Sequence, residues 1–426
     1  MKKIIISASV VAVGAANLQQ AYADDSAIAA PAPSTKIWSA GATLRGFYDS
    51  NYAVQNTGPN KGSYGVELSP TVSLNDSLQQ TDFGIRYTYG IYWYNQRQIM
   101  SVDAIDQTHQ LDLWVDHAFD ERWKLNVSDS LGVGQEPSLI GGGGVPFRVK
   151  GDNVGNHFNT SLSTQWTREF STLLHYSNDF YDYEQHGGTA ASPSLAGLLN
   201  RDEQNVGLDG QWHFDPETMA FIGYSIDYVD YLGNEQIGLL PSPLTGPYSS
   251  DYRNSLGHQL YVGFQHNFTP NLTGNIKAGA EYVDSFNQSL PNSTAWTPYG
   301  NISLTYTYLP GSYVQLGFSQ ADNATYVATA NGVIQYEETS IVYGSINHHF
   351  TEKLIGSALA QYSYSEFHGS GTLGPDVLYS AGLNLTYIIN TFLSADAGYN
   401  YDRLRSDVVG AAYERNRFYV GLTATY

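Results

Sequence analysis

Alternation limits this chain more than any other feature. From about residue 36 onward, apolar and polar side chains exchange places at period two in run after run. No window beyond the N-terminal segment approaches the 18 consecutive apolar residues of a membrane-spanning helix. The last run shows the pattern well: Phe418, Val420, Leu422, Ala424 and Tyr426 form one set, and Arg417, Tyr419, Gly421, Thr423 and Thr425 the other. That is a strand with two unlike faces. Its apolar face needs a place to go, and each of its edges needs a partner.

Runs of this kind, bounded by turn residues, predict strands near 36–50, 63–74, 80–95, 107–119, 123–135, 156–167, 170–182, 202–214 and 218–231. The series continues near 254–268, 272–284, 296–308, 312–321, 337–350, 353–366, 376–388, 391–402 and 413–426. The count is about 18 strands, with 16 the alternative. Connections alternate in length. Tight ones such as Asn75-Asp76-Ser77, Asp120-Glu121-Arg122 and Leu309-Pro310-Gly311 exchange with long ones such as 136–155, 183–201 and 232–253. Loops sorted by side in this way predict an all-β fold: a single antiparallel up-and-down transmembrane β-barrel with periplasmic turns and longer outer loops.

The turns also repeat. Phe119-Asp-Glu-Arg-Trp123, Phe268-Thr-Pro-Asn-Leu272 and Phe350-Thr-Glu-Lys-Leu354 each place an aromatic at a strand end, as an interfacial girdle requires. His117, His266 and His348 sit two residues before those phenylalanines, a shared slot that reads as interfacial rather than catalytic.

Composition narrows the setting. Forty-two glycines and 34 tyrosines against three methionines favour strands. The absence of cysteine removes disulfides, thiolate metal sites and a lipidated N-terminal cysteine. A formal charge of -20 argues against nucleic acid as a partner, since phosphate contacts need clustered Lys and Arg. Lys2 and Lys3, the apolar run from Ile4 to about Ala16 and Ala21-Tyr22-Ala23 predict a secretory signal peptide over 1–23. A flexible Ala/Pro-rich lead-in then covers 24–35 and the barrel 36–426.

The two faces differ as a barrel wall should. Leu260, Val262 and Phe264, or Ile302, Leu304, Tyr306 and Tyr308, are expected to face lipid. Their alternate neighbours, such as Gln259, Tyr261 and Gly263, are small or polar and imply a wet interior. The inward set contains the acids Asp49, Glu67, Asp82, Asp112, Asp116, Asp209, Asp227, Glu281 and Asp396. Its bases are Arg45, Arg86, Lys124, Lys277 and Arg417. As pore-lining residues these predict a modest preference for cations, unless acids and bases cancel across strands.

Tyr419-x-Gly421-x-x-Ala424-x-Tyr426, with Phe418 on the apolar face, resembles the C-terminal signal read by the outer-membrane barrel assembly machinery. More broadly the chain resembles the outer-membrane β-barrel porin families. The ending with Tyr399-Asn-Tyr-Asp402 and Tyr413-Glu-Arg-Asn416 is similar to the group often labelled simply outer-membrane β-barrel protein. The resemblance implies a bacterial outer-membrane location, with membrane lipid and the assembly machinery as partners.

No phosphate loop, H-E-x-x-H or G-x-S-x-G appears, so no enzyme activity, cofactor or metal is expected. Gly141, Gly142, Gly143 and Gly144, with Arg148 and Lys150, fall in the third outer loop. General porins often fold that loop inward as a constriction; a plain flexible loop is the alternative. The expected function is a porin for passive diffusion of small hydrophilic solutes, with a homotrimer as one assembly open to it. A polysaccharide export component and a plugged structural or adhesive barrel are the alternatives.

Overall fold

The computed structural model describes residues 37–52, 54, 62–99, 103–134, 153–190, 192–240, 242, 244–286, 294–328, 332–369, 371, 373–408 and 410–426. The predicted signal peptide, the lead-in, and Gly141–Gly144 with Arg148 and Lys150 lie outside them. The first half of the wall is built from β1 (Trp38–Asp49), β2 (Ser63–Ser77), β3 (Thr81–Tyr94), β4 (Ile105–Ala118), β5 (Trp123–Gly134), β6 (Asn153–Gln165), β7 (Phe170–Tyr183), β8 (Arg201–Asp215) and β9 (Thr218–Tyr231). A small hairpin, β10 (Gln236–Leu239) and β11 (Pro247–Ser249), stands apart in the loop after β9. The second half is β12 (Ser255–Thr269), β13 (Leu272–Ser285), β14 (Thr294–Leu309), β15 (Ser312–Ala324), β16 (Ile334–His349), β17 (Leu354–Gly369), β18 (Asp376–Asn390), β19 (Leu393–Arg405) and β20 (Tyr413–Thr425).

Each of these 18 strands pairs antiparallel with its neighbours in order, β9 passing directly to β12, and β20 returns to β1. The sheet is therefore a closed barrel. At the seam Gly41 faces Thr425 and Asp49 faces Arg417. Beyond the last strand residue, Tyr426 and Ala40 still exchange both backbone hydrogen bonds, at 2.8 and 3.2 Å. Closure leaves no unpaired edge, the condition for strands to sit in hydrocarbon.

The tight turns follow from local chemistry. Asp120 accepts from the amides of Arg122 and Trp123 at 2.7 and 2.8 Å, and Thr351 Oγ1 accepts from the amide of Leu354 at 2.9 Å. Pro310-Gly311 turns with Gly311 at φ +74°, a conformation that favours glycine. All eight tight turns gather at one end, called here the inner end, and the long loops at the other.

Facing outward, Leu260 is 58% exposed, Val262 56% and Val420 68%, a level of apolar exposure suited to lipid rather than water. Trp38, Phe119, Trp166, Phe214, Phe268, Phe350 and Tyr426 mark the inner rim of that band. There His117, His266 and His348 each stack edge-on against the phenylalanine two residues later, with centroids 4.5, 4.8 and 4.6 Å apart.

The outer end differs from a simple open rim. Inward side chains at the strand tops, Tyr181, Tyr183, Leu378, Leu404 and Tyr413, pack with Val54, Leu195, Leu199, Tyr326 and Val327 from the loops. Ile237, Tyr248 and Val333 form a second cluster beside the first, and Leu198 packs against both. Loops after β1, β7, β9 and β15 therefore fold in over the mouth instead of standing away from it. Each fully buried aliphatic chain there contributes roughly 1.5–3 kcal/mol.

Candidate functional site

Cross-strand partners share a face, so the register decides what points into the barrel. Arg45 pairs with Glu67, Arg86 with Asp112, Gln259 with Glu281 and Gly421 with Asp396. All fourteen charged positions predicted to line a pore fall on this inward face. They do not share one environment.

Around the seam they form a closed ionic wall. Arg45 Nε donates to Asp396 Oδ2 at 2.9 Å, and its Nη1 lies 3.6 Å from Glu67 Oε1. Arg417 Nη2 approaches the other Glu67 oxygen at 3.6 Å. Asp49 receives Arg415 Nε at 2.7 Å and a second, shorter contact through Nη2. Aromatic rings cover this cluster: Arg45 sits over Tyr419 at 4.9 Å and Arg417 over Phe47 at 5.0 Å. Arg45, Asp49, Glu67, Asp396 and Arg417 are all buried. Charges neutralised and dry in this way hold the wall together and present little field to a solute.

By strand count, the opposite wall is β9, β12 and β13. Tyr261 donates to Asp209 at 2.6 Å, and Lys277 donates to Tyr299 at 2.7 Å while lying 4.7 Å from the centre of the Tyr261 ring. Asn205 donates to Asp227 at 2.5 Å. Glu281 and Asp209 are buried, and Phe221, Tyr261 and Met219 pack as a small apolar cluster with Tyr299 against it.

Between these walls, from β3 round to β7, the inward face is open toward the inner end. The Arg86 side chain is 42% exposed where Arg45 is 5%. Arg86 Nε donates to Asp112 at 3.0 Å, and Gln110 and Ser130 also donate to Asp112, at 3.0 and 2.9 Å. Asp82, Asp116 and Lys124 are exposed near the inner mouth, Asp82 directly opposite Asp116. His157 and Asp179 meet at 2.7 Å, both more than a third exposed. Asp182, next to Asp179's neighbour Tyr181, points to the other face and binds Asn200.

Above the mouth, buried arginines tie the loops down. Arg253 donates to the Thr325 carbonyl at 3.0 Å and to that of Val327, and Arg201 to the Leu199 carbonyl at 3.1 Å. Glu235 accepts from Ser194, from the Gly187 amide at 3.1 Å, and pairs with His186 at 2.6 Å. Burial works against the charge of Glu235, but the hydrogen bonds from Ser194 and His186 outweigh it and hold its carboxyl below the ordinary range. Among the described residues no group of three or more His, Asp or Glu side chains is placed to hold a metal ion.

Sequence reasoning missed Arg415, Arg97, Arg201 and Arg253. Arg415 was within reach of parity, two residues before Arg417 on the same face. Arg97 bonds Asp106 at 2.5 Å from a one-turn helix, Asn95–Ile99, that carries no periodic signal.

A lipid-facing closed barrel with a polar interior is the architecture of a membrane channel. The family model described as "putative beta-barrel porin 2" matches residues 37–426. The chain belongs to this family. Comparison with curated proteins finds no match. Among solved structures, this porin-family barrel is similar to the ferric enterobactin receptor of Pseudomonas aeruginosa, with a TM-score of 0.44, 11% identity, and 91% of this chain and 81% of that one covered. It is also similar to OccK8 (OprE) of Pseudomonas aeruginosa, with a TM-score of 0.42, 11% identity and coverage of 91% and 98%. OccAB4 of Acinetobacter baumannii gives 0.42, 11%, 92% and 99%. These likenesses concern the barrel and not its cargo.

Proposed function

We propose that this porin-family barrel sits in the bacterial outer membrane and conducts small hydrophilic solutes passively. The path runs eccentrically along the inward face of β3–β7 and prefers cations. The observation that carries this reading is the contrast in exposure between the open sector and the sealed seam. In the open sector, among the described residues, Asp82, Asp112, Asp116 and Asp179 stand against Arg86 and Lys124, while Asp106 is bridged to the buried Arg97 and, on the bordering β8, Glu203 to the buried Arg201. Surplus negative charge on a low-dielectric wall raises the local concentration of cations.

The inward-folded loops favour a second reading, a barrel plugged at its outer mouth that serves a structural or adhesive role. Recording from the purified chain in a planar bilayer separates the two. The channel reading expects steady conductance and a reversal potential of cation-selective sign in a KCl gradient, shrinking as salt rises. Electrical silence supports the plugged barrel, and an anion-selective current overturns the placement of the path.

A further inference from the structure

The outer ends of β16–β18 bury two carboxylates with no base against them. Glu337 and Asp376 are 2% and 1% exposed, and among the described residues neither enters an ion pair. The buried acids of the seam are different: Asp49 meets Arg415, and Glu67 and Asp396 meet Arg45. Arg201, whose field reaches Glu337, is already bridged to Glu203, and Asp407 adds a further negative charge near Asp376.

Hydroxyls join the two acids into one site. Thr339 Oγ1 donates to Glu337 Oε1 at 3.4 Å and lies 2.9 Å from Ser365 Oγ, and Ser365 faces Asp376 in register. Asp376 in turn accepts from the hydroxyl of Tyr326, in the loop after β15. Each acid keeps one oxygen, Glu337 Oε2 and Asp376 Oδ1, without a hydrogen-bond partner. Beside them the β16–β17 register takes in an extra residue at Gln335, a bulge of the kind that re-aims a side chain. Gln335 is buried like Glu337, with the half-buried Tyr336 between them, and neither its Nε2 nor its Oε1 has a partner. Dry oxygens without donors and paired negative charges without a counter-charge both destabilise a fold, and one hard cation relieves both.

We propose that Glu337 and Asp376, with the side-chain carbonyl of Gln335, hold a calcium ion that pins the loop after β15 to the strand tops. Two carboxylates match its charge. Calcium takes about six to eight oxygens in irregular shells and accepts amide and hydroxyl oxygens among them, so a third acid is not required. Magnesium fits less well, because it demands a near-ideal octahedron and holds on to its waters. Counted from His349 at the inner end of β16, Glu337 lies about 30 Å up the wall, past an apolar band of about 25 Å and on the side that aqueous cations reach. The proposal needs neither conduction nor the selectivity argued above.

The full-length barrel, purified in detergent and stripped with a chelator, should bind one calcium ion per chain by calorimetry, saturably and with a Kd at or below about 1 mM. Glu337→Gln with Asp376→Asn should lose that binding while still shifting on unboiled gels as a folded barrel. Glu121→Gln with Glu352→Gln removes as much charge from exposed inner turns and should bind as wild type does. In the wild type itself, calcium should slow amide exchange at Thr325, Tyr326 and Val327 several-fold, a measurement that requires no variant. An absence of saturable binding overturns the proposal and leaves a shared proton as what settles the pair. Binding that survives the Glu337 and Asp376 substitutions overturns it too, since the ion then sits on surface acids. So does exchange in the loop after β15 that calcium leaves unchanged.

Discussion

Arg45 and Asp396 are 351 residues apart in the chain and 2.9 Å apart across the closed barrel. Between them lies Gly421 of β20, opposite both in register. A Cβ at Gly421 would come 2.4 Å from Arg45 Cγ and 3.0 Å from the Leu44 carbonyl, so the bridge passes through space that only glycine leaves open. The position that resembles part of an assembly signal thus has a structural duty of its own.

Gly421→Ala is therefore expected to destabilise the folded barrel by about 1–3 kcal/mol through overpacking. Gly46→Ala, where nothing lies within 4 Å, is the control and should be near neutral. Heat-modifiability on gels and the denaturant midpoint measure both. Equal behaviour of the two variants would refute the account of the seam.

Removing the last side chain tests assembly. Tyr426 packs against Trp38 with centroids 5.7 Å apart and closes the ladder with Ala40. Tyr426→Ser is expected to reduce the level of protein in the outer membrane several-fold, measured by fractionation and immunoblot. A normal level would mean that neither the ring nor the signal matters.

Selectivity should follow exposure. Asp82→Asn with Asp116→Asn removes two like charges that face each other at the inner mouth. The reversal potential should move toward zero, and stability should hold or rise slightly because the repulsion between the pair disappears. An unchanged potential would place the path elsewhere.

Arg253 tests the loop cover. Its guanidinium, 1% exposed, holds the Thr325 and Val327 carbonyls. Arg253→Met is expected to loosen the loop after β15, seen as faster amide exchange there and as larger, noisier conductance. If both measures match wild type, the arginine is not what holds the cover.

The clasp at Glu235 should respond to acid. Because its folded carboxyl is held below the ordinary value of 4.5, its contribution is complete above that value and is lost as pH falls through the lower folded one. Amide exchange at Gly187 and Gly197 should quicken below about pH 4 in the wild type. In Glu235→Gln it should be fast already at neutral pH, with little further change.

Much of the wall was legible in sequence. Parity sorts Leu260 from Gln259 and Arg45 from Leu44 because a strand's period is local: each side chain's face is set by its neighbours along the chain. The alternation of tight turns and long loops likewise counts the strands and tells the two ends of the barrel apart, and all 18 runs appear as strands, several reaching further outward than their turn residues suggested. The long loops were not legible in this way. The hairpin β10–β11 and the one-turn helix Leu195–Leu199 lack a sustained period, and they form because Leu199 finds one apolar cluster above the mouth and Ile237 with Tyr248 the cluster beside it, Leu198 packing against both.

Charge was legible as a count but not as a field. Alternation places Arg45, Glu67, Asp396 and Arg417 on one face. Which of them meet depends on barrel closure and stagger, which bring β19, β20, β1 and β2 together from both ends of the chain. The same closure leaves Arg86 exposed beside a half-buried Asp112, and sets Asp129 against Asn156 on the outward face. Sequence by itself determined the two faces and the number of strands, since both follow from contacts between near neighbours. Tertiary structure alone decided which charges cancel and which face water, since burial and pairing depend on residues hundreds of positions away.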